Sequence, residues 1–179
     1  MSGTFTGGLG PNVSSTLTQL TTGTSVVGAA TGNYGKAQGA PTIHNSAYSA
    51  GQGIGGLLTW AGLNSATGFG GLVQSVTVTF ASGITPLLDL VVFDANPTGS
   101  TVGDQATFSV ATADLGKVVG VVHLSDLTQL GTPAFLQGQT AQVPVEAVTG
   151  GTVYGVLVMR SAATPGGTSD MIVTVRTVQ

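Results

Sequence analysis

Residues 71–96 contain the clearest strand pattern of the chain, and the other segments have to fold around them. Val76, Val78 and Phe80 alternate with polar residues, which is the period of two of a strand with one buried and one solvated face. After a short turn, residues 87–94 form an apolar run that is typical of a strand covered on both sides. We interpret the two segments as a pair of neighbouring strands that further strands must cover.

The rest of the sequence supplies short apolar segments, separated by Gly, Pro, Asn and Asp residues that favour turns. Gly150 and Gly151 separate two of them and predict an antiparallel hairpin. A single turn of helix is predicted at residues 112–117, with Thr112 as its N-cap. The pattern predicts an all-β protein: an antiparallel β-sandwich of jelly-roll type, with a closed barrel as the alternative. The other strand candidates are residues 57–60, 106–110, 118–124, 142–148, 152–160 and 170–178.

The first half of the chain is nearly free of charge, since Lys36 is the only Lys, Arg, Asp or Glu before Asp89. Residues 1–45 alternate Ser and Thr clusters with Gly-containing breakers, a composition that disfavours a packed helix. We therefore predict an extended Gly/Ser/Thr-rich N-terminal arm at residues 1–45 and a β-sandwich domain at residues 46–179. The alternative is that residues 1–45 form an ordered pair of strands that completes the same domain.

Charged residues make up only 6% of the chain, against roughly 25% in an average soluble domain, and the net charge is −3. A surface with so little charge cannot rely on charge for solubility. We therefore expect much of it to be covered by other copies or by partners. The four basic residues are scattered singly, whereas binding to a phosphate backbone needs a clustered basic patch. Direct binding of nucleic acid is not expected.

Cysteine is absent, which removes disulfides, thiolate nucleophiles and Cys-ligated metals together. Residues 1–15 lack both the basic and the apolar region of a signal peptide. No apolar run reaches the roughly 18 residues of a membrane span. The sequence thus predicts synthesis in the cytoplasm and no association with a membrane.

Residue types that carry catalysis are few and lie apart in the sequence. His44 and His123 come without a nucleophile-elbow signature around any serine, so we expect packing or hydrogen-bonding roles for both. Residues 51–56 have the spacing G-x-G-x-x-G, but a strand follows them instead of a helix. That order indicates a turn or bulge and no nucleotide site. We predict that the chain is not an enzyme and binds no cofactor.

The acidic residues are interpreted mainly as structural. Asp94, Asn96 and Asp104 offer the oxygen ligands that calcium takes, but their spacing matches no EF-hand loop, and we predict no metal site. Asp89 and Asp94 are expected to pair with an arginine or to accept backbone hydrogen bonds in turns. The two arginine candidates are Arg160 and Arg176.

Aromatic side chains are few and dispersed, so the sequence shows no aromatic face for carbohydrate binding. Phe80 and Phe93 lie in apolar strands and are assigned to the core. Aromatic residues also anchor many protein interfaces. The candidates for such a contact surface are Phe5, Tyr34, Tyr48 and Trp60.

Five segments, taken in order, resemble small β-rich virion proteins that are encoded by tailed bacteriophages. The similarity covers residues 47–179, and its more specific parts lie at residues 89–97 and 104–122. The segments are YSAGQGIGGLLTWAG, GLVQSVTVTF, PLLDLVVFDANPT, GDQATFSVATADLGKVVGVVHL and TVYGVLVMRSAATPGGTSDMIVTVRTVQ.

The resemblance implies a non-enzymatic structural protein that decorates or cements an assembled capsid. Its implied partners are copies of itself, as a dimer or trimer, and the major capsid protein, and its implied location is the head surface of the virion. The charge-poor composition suits such a protein, because contacts would cover its exterior. One alternative is an adhesin of the tail, neck or fibre that binds a host glycan. A hydrolase is another, and it would need a cleft with convergent acids or a His beside a Ser.

Overall fold

The computed structural model describes residues 34–63, 70–138, 142–146 and 151–178. Within these ranges the regular elements are nine β-strands and one short 3₁₀ helix. In chain order they are β1 (Tyr34–Gly39), β2 (Gly53–Trp60), β3 (Gly70–Phe80), β4 (Leu88–Phe93), the 3₁₀ helix (Thr112–Lys117), β5 (Val118–Gln129), β6 (Ala134–Gly138), β7 (Val143–Glu146), β8 (Val153–Met159) and β9 (Met171–Val178).

All pairings between these strands are antiparallel, which confirms the prediction of an all-β antiparallel fold. The strands form one sheet in the order β1-β9-β3-β6-β5-β4-β8-β2, and β7 pairs with β3 beside this path. The ends of the path approach each other, since a Cβ built on Gly35 of β1 would lie 2.5 Å from the carbonyl oxygen of Leu63, just after β2. The sheet is therefore nearly closed into a barrel. A two-layer packing of jelly-roll type stays a prediction.

The strand pairs are nested along the chain. β1 pairs with β9, β2 with β8, β3 with β7 and β4 with β5, as in one long hairpin. Pairing of β3 with β9 and of β4 with β8 joins these pairs side by side. β6 bonds to both β3 and β5. The beginning and the end of the described chain therefore lie together in the sheet.

Two predicted hairpins are wrong, although their strands exist. β3 pairs with β6, β7 and β9, whereas β4 pairs with β5 and β8, so the two segments at residues 71–96 are not neighbours. The strands on either side of Gly151, β7 and β8, also pair elsewhere. The reason is that alternation reports which face of a strand is buried and not which strand lies beside it. Phe80 and Leu88 face one core from different parts of the sheet.

The inward faces of the strands share one apolar core, to which the three alternating residues Val76, Val78 and Phe80 contribute with no exposed surface. A second, smaller apolar cluster lies on the opposite face of β4 and β8 and is built on Val91, Phe93 and Val156. The loop between β4 and the 3₁₀ helix covers this cluster, so β4 is apolar on both faces, as predicted. The loop residues that pack there are Val102, Phe108 and Val110.

The predicted arm at residues 1–45 is described only from residue 34 onward. Six of its residues form β1, which pairs along its whole length with β9, from Tyr34 opposite Val178 to Gly39 opposite Val173. The rest of the predicted arm lies outside the described residues. Beyond the strands, no helix within the described ranges is long and apolar enough to cross a membrane.

Candidate functional site

The carboxylate of Asp104, in the loop after β4, holds the segment before β2. It accepts hydrogen bonds from the backbone N–H of Gly55 at 2.7 Å and from the hydroxyl of Tyr48 at 2.8 Å. It also bonds to Nδ1 of His44 at 2.5 Å. The Tyr48 hydroxyl in turn accepts a hydrogen bond from the amide of His44 at 2.8 Å. One acidic side chain thus fixes two loops and the start of a strand.

Glycine at position 55 is what allows this strand to reach Asp104. Gly55 has a φ of +80°, and a Cβ there would lie 2.8 Å from the side chain of Pro41. The pairing register of β2 with β8 shifts between Ile54 and Leu57, which is a bulge. The prediction that residues 51–56 form a turn or bulge is therefore confirmed. The bulge aims the Gly55 amide at the carboxylate.

The cluster shifts the titration of its two acidic members in opposite directions. Burial alone would raise the pKa of Asp104, but hydrogen bonds from His44, Gly55 and Tyr48 outweigh it and hold the pKa below its usual range. Burial and the hydrogen bond to Asp104 raise the pKa of the Tyr48 phenol. At neutral pH the cluster therefore contains a carboxylate and a neutral phenol, which is the donor and acceptor pattern that its geometry needs.

An aspartate that orients an exposed histidine is also a part of many hydrolytic sites. The His44 side chain is 62% exposed, so its ring is open to solvent. The neighbouring hydroxyl of Ser46 accepts a hydrogen bond from the side-chain amide of Gln105 at 2.5 Å. Among the described residues, no Ser or Thr hydroxyl bonds to either histidine. The arrangement can hold a loop, and the residues that the structure describes place no hydroxyl in hydrogen-bond contact with the ring that could serve as a nucleophile.

A second aspartate–histidine pair lies on the sheet surface. Asp89 of β4 is directly opposite His123 of β5, and its carboxylate lies 2.6 Å from Nδ1 of that ring. Arg160, just after β8, places Nη1 3.7 Å from the same oxygen. The expected pairing of Asp89 with an arginine is thus confirmed, and it is with Arg160. Both sides of the ion pair are partly exposed, so its effect on stability is small.

Asp170 closes the loop before β9 onto the turn after β3. Its carboxylate bonds to the hydroxyl and the amide of Ser82 and accepts a hydrogen bond from the amide of Gly166 at 2.9 Å. Burial alone would raise its pKa, but these donors outweigh it and lower the pKa. A shallow pocket of about 490 Å³ lies beside this cluster. Its lining residues are Ala81, Ser82, Gly166, Gly167, Thr168, Ser169 and Asp170.

Asp114 is buried and organises the 3₁₀ helix. It accepts hydrogen bonds from the amide of Gly99 at 2.8 Å and the hydroxyl of Ser100 at 2.7 Å, and it pairs with Lys117 at 2.7 Å. The bond from Lys117, followed by that from Ser100, lowers the pKa of its carboxyl. The predicted turn of helix is confirmed, but the predicted cap is wrong. The N-cap residue is Ala111, which makes no side-chain capping bond.

Asp94 lies directly after β4, where its amide donates a hydrogen bond to the carbonyl of Lys117 at 3.1 Å. Burial, its largest influence, raises the pKa of this carboxyl, and the charge of Glu146 adds to the rise. Asp104, another of the three residues considered as calcium ligands, already bonds through its carboxylate to His44, Tyr48 and Gly55. The described residues contain no group of three or more His, Asp or Glu side chains that could hold a metal ion.

The aromatic interface candidates fall in three different environments. Tyr34 on β1 is 79% exposed, so its ring is available at the surface. Tyr48 and Trp60 are buried, with 1% and 3% of their surface exposed, and they pack in the main core. Phe5 lies outside the described residues. Of the candidates whose positions are described, only Tyr34 presents an exposed ring.

Sequence reasoning missed the loop clusters around Asp104, Asp114 and Asp170. A signal was present, because each acid lies in a turn region where carboxylates commonly accept backbone hydrogen bonds. The partners were not predictable, since Gly55 and Ser82 are distant in sequence from the acids that bind them. Comparisons with protein-family models and with curated proteins find no match. The resemblance to phage virion proteins therefore stays a prediction.

Proposed function

We propose that the protein is a non-enzymatic structural protein of a phage virion, and that it decorates or cements the head surface by associating with copies of itself and with the capsid. The observation that supports this best is how its carboxylates are used. The carboxylates of Asp104, Asp114 and Asp170 accept hydrogen bonds within loops of the same chain. The carboxylate of Asp89 is paired with His123 and Arg160. Little charge remains for the surface, which suits an exterior covered by contacts.

The strand order supports the finer description of the fold as a jelly roll. A jelly roll is a long antiparallel hairpin rolled up, so that the first strand pairs with the last and the second with the one before it. The nested pairs observed here follow this rule. We infer two four-stranded layers, β1-β9-β3-β7 and β2-β8-β4-β5, with β6 joining them at one end. Viral capsid domains and lectins both use this architecture, so it does not by itself choose between them.

Exposed apolar side chains supply contact area for the proposed role. Seven large hydrophobic residues are at least 40% exposed in the described part of the chain. Leu127 and Leu130 lie at the end of β5 and in the turn that leads to β6, so this hairpin carries apolar residues at its tip. The others are Tyr34, Leu87, Leu115, Val121 and Ile172. Such residues lose their contact with water when neighbouring subunits cover them, which favours assembly.

In the proposed mechanism the residues before β1 act as an extended arm that lies across neighbouring subunits and adds strands to exposed sheet edges. The protein binds the assembled lattice and not isolated capsid subunits, so it stabilises the shell by mass action. Several weak contacts per oligomer add up through multivalency. In this mechanism the arm contacts neighbouring subunits, and the β-domain associates with other copies to form the oligomer.

The experiment that tests this role is localisation in intact particles, by antibody labelling and cryo-electron microscopy of virions that contain the protein. Labelling of the head surface is the expected result, whereas labelling confined to the tail or its absence from virions contradicts it. The arm is tested by deleting residues 1–33, which leaves β1 and its pairing with β9 intact. We expect the truncated protein to remain folded and to detach from heads more readily.

The same preparation distinguishes the adhesin alternative. A protein that bound purified cell envelope but not heads would be an adhesin. The shallow pocket beside Asp170 offers hydroxyl groups and backbone amides, but its lining contains no aromatic ring on which a sugar could stack. The described pocket therefore gives the adhesin reading no specific support.

A further inference from the structure

β1, at one end of the sheet path, is the only described strand without a buried residue. Its less exposed positions are Gly35, Ala37 and Gly39, which together carry a single methyl group, and that methyl group packs against the main core. Burial of apolar side chains is the main stabilising contribution in folding. β1 therefore depends mainly on its backbone pairing with β9.

Two positive charges weaken this pairing further. Lys36 of β1 is directly opposite Arg176 of β9, and both side chains are exposed. Side chains that are directly opposite in an antiparallel pair have Cβ atoms about 5 Å apart, and like charges there are destabilising. Within the described ranges neither residue forms an ion pair, and the neighbour of Arg176 on β3, Ser75, carries no charge. Separation of β1 from β9 relieves this repulsion.

The chain is firmly held directly after β1. Pro41 lies against Gly55, where a Cβ would come 2.8 Å from the proline ring. The side chain of Ile43 is 2% exposed, and its amide donates a hydrogen bond to the loop before β9 at 3.1 Å. Ala40, between β1 and these contacts, is exposed, and the glycine before it has a permissive backbone. Rotation at residues 39–40 can therefore turn β1 away while the chain from Pro41 onward keeps its contacts.

The edge of β9 that β1 covers borders the main core. Val173 and Val175 of β9 are 0% and 1% exposed, and Thr177 is fully buried. Without β1, the backbone N–H and C=O groups of this edge would be unpaired, and such an edge is a template for another strand. A second copy of β1 fits it best, because the register of β1 with β9 is already complementary over all six residues.

We propose that β1 is exchanged between copies, so that β1 of one copy pairs with β9 of a neighbour in the assembled protein. Exchange forms the same hydrogen bonds and contacts, so its net cost is low and depends on the hinge at residues 39–40 and on the position of the neighbour. An assembly holds the neighbouring β9 close, which raises its effective concentration. The inference rests on the self-association that is part of the proposed function, and it names the strand and the edge that carry it.

Because the chain contains no cysteine, introduced thiols can trap the exchanged pairing. Lys36→Cys and Arg176→Cys are placed in different copies of the full chain, one of which carries a tag that changes its size, and both copies are produced in the same cells. Pairing of β1 of one copy with β9 of the other brings the two thiols within disulfide distance. Oxidation should then give a covalent heterodimer on a non-reducing gel.

The matched control combines Thr59→Cys in one copy with Gln129→Cys in the other. These are exposed positions on β2 and β5, two strands that do not pair with each other. The heterodimer yield of the combination at β1 and β9 should exceed that of this control by roughly tenfold or more. Equal yields contradict the exchange.

A chain that carries both Lys36→Cys and Arg176→Cys gives a second readout. After oxidation and denaturation, exchanged chains should appear as covalent oligomers, whereas chains that keep β1 on their own β9 should appear as single chains with an internal disulfide. Single chains alone overturn the exchange but leave self-association in place. A wild-type protein that is monomeric at all concentrations in analytical ultracentrifugation overturns self-association as well. Thermal melts of the reduced variants should match the wild type, because both positions are exposed.

Discussion

Asp104, Asp114 and Asp170 each accept several hydrogen bonds at once, and these bonds hold loop segments that lack a sheet ladder or a helix. Loops cannot satisfy their amides in a sheet ladder, and a buried carboxylate offers acceptor sites for two or three of them. The Asp104 cluster also depends on a hydroxyl, since Tyr48 both donates to the carboxylate and accepts from the amide of His44. The stability of these loops therefore depends on single polar atoms.

Tyr48 can be tested by removing only its hydroxyl. We expect Tyr48→Phe to lower the free energy of unfolding by about 1–2 kcal/mol, because Asp104 loses a donor and the His44 amide loses its closest acceptor. Urea denaturation measures the change. Tyr34→Phe is the matched control, since that side chain is 79% exposed, and it should change the value by at most a few tenths. Equal effects of the two variants would contradict the proposed role of the hydroxyl.

Ser82 provides the corresponding test for Asp170. The Ser82→Ala variant keeps the amide bond to Asp170 but loses the hydroxyl donor. We expect a loss of about 1 kcal/mol and faster hydrogen exchange at residues 166–170, because the loop opens more often. Ser125→Ala, at an exposed position of β5, is the control and should leave exchange unchanged. Unaltered hydrogen exchange in the Ser82→Ala variant would show that the backbone hydrogen bonds to Asp170 are enough to keep this loop closed.

At the scale of strands, the sequence predicted which segments are extended better than it predicted their neighbours. Val76, Val78 and Phe80 show their buried face in the alternation itself, and β4 shows its double burial as an apolar run. Which strands are neighbours depends on pairing between segments that are distant in sequence. An alternation with a period of two carries no information about that pairing. β6 is not among the predicted strands, because its five residues carry no clear alternation, and β1 falls within the predicted arm because the composition around it is rich in Gly.

The junction where β1 approaches the end of β2 should be sensitive to a single methyl group. Gly35→Ala places a Cβ against the hydroxyl of Thr177 on β9 and about 2.5 Å from the Leu63 carbonyl oxygen, which that hydroxyl bonds, so β1 must move away. We expect a loss of about 1–3 kcal/mol, with weakened protection of the β1 amides in hydrogen exchange. Gly70→Ala in β3 is the matched control, because its Cβ meets no atom within 4 Å. A variant at position 35 as stable as this control would show that the junction is loose.

At the scale of the whole molecule, the pH dependence of stability follows from the carboxylates with lowered pKa values, Asp104, Asp114 and Asp170. A group whose pKa is lower in the folded state contributes stability above its unfolded pKa of about 4, and loses it as the pH falls through the folded value. We expect the urea midpoint to fall steeply below about pH 4. The raised pKa of Asp94 acts in the opposite direction and offsets part of this loss.

Alkaline conditions test the other member of the Asp104 cluster. The pKa of Tyr48 is raised in the folded state, so its contribution is complete below the unfolded tyrosine value of about 10 and declines as the pH rises toward the folded value. We expect stability to decline above about pH 10 in the wild type and less so in the Tyr48→Phe variant. Urea midpoints at several alkaline pH values measure this. Parallel declines in both proteins would assign the effect to other groups.

The nested order of the strands also governs how the polypeptide emerges during translation. β1 can pair only after β9 has been synthesised, and β2 only after β8. The sheet therefore cannot close until nearly all of the described sequence has left the ribosome. Pairings this distant raise the contact order and place folding in the range of milliseconds to seconds. Nascent chains therefore expose unpaired strand edges for most of their synthesis, and this interval is when we expect chaperones to matter most.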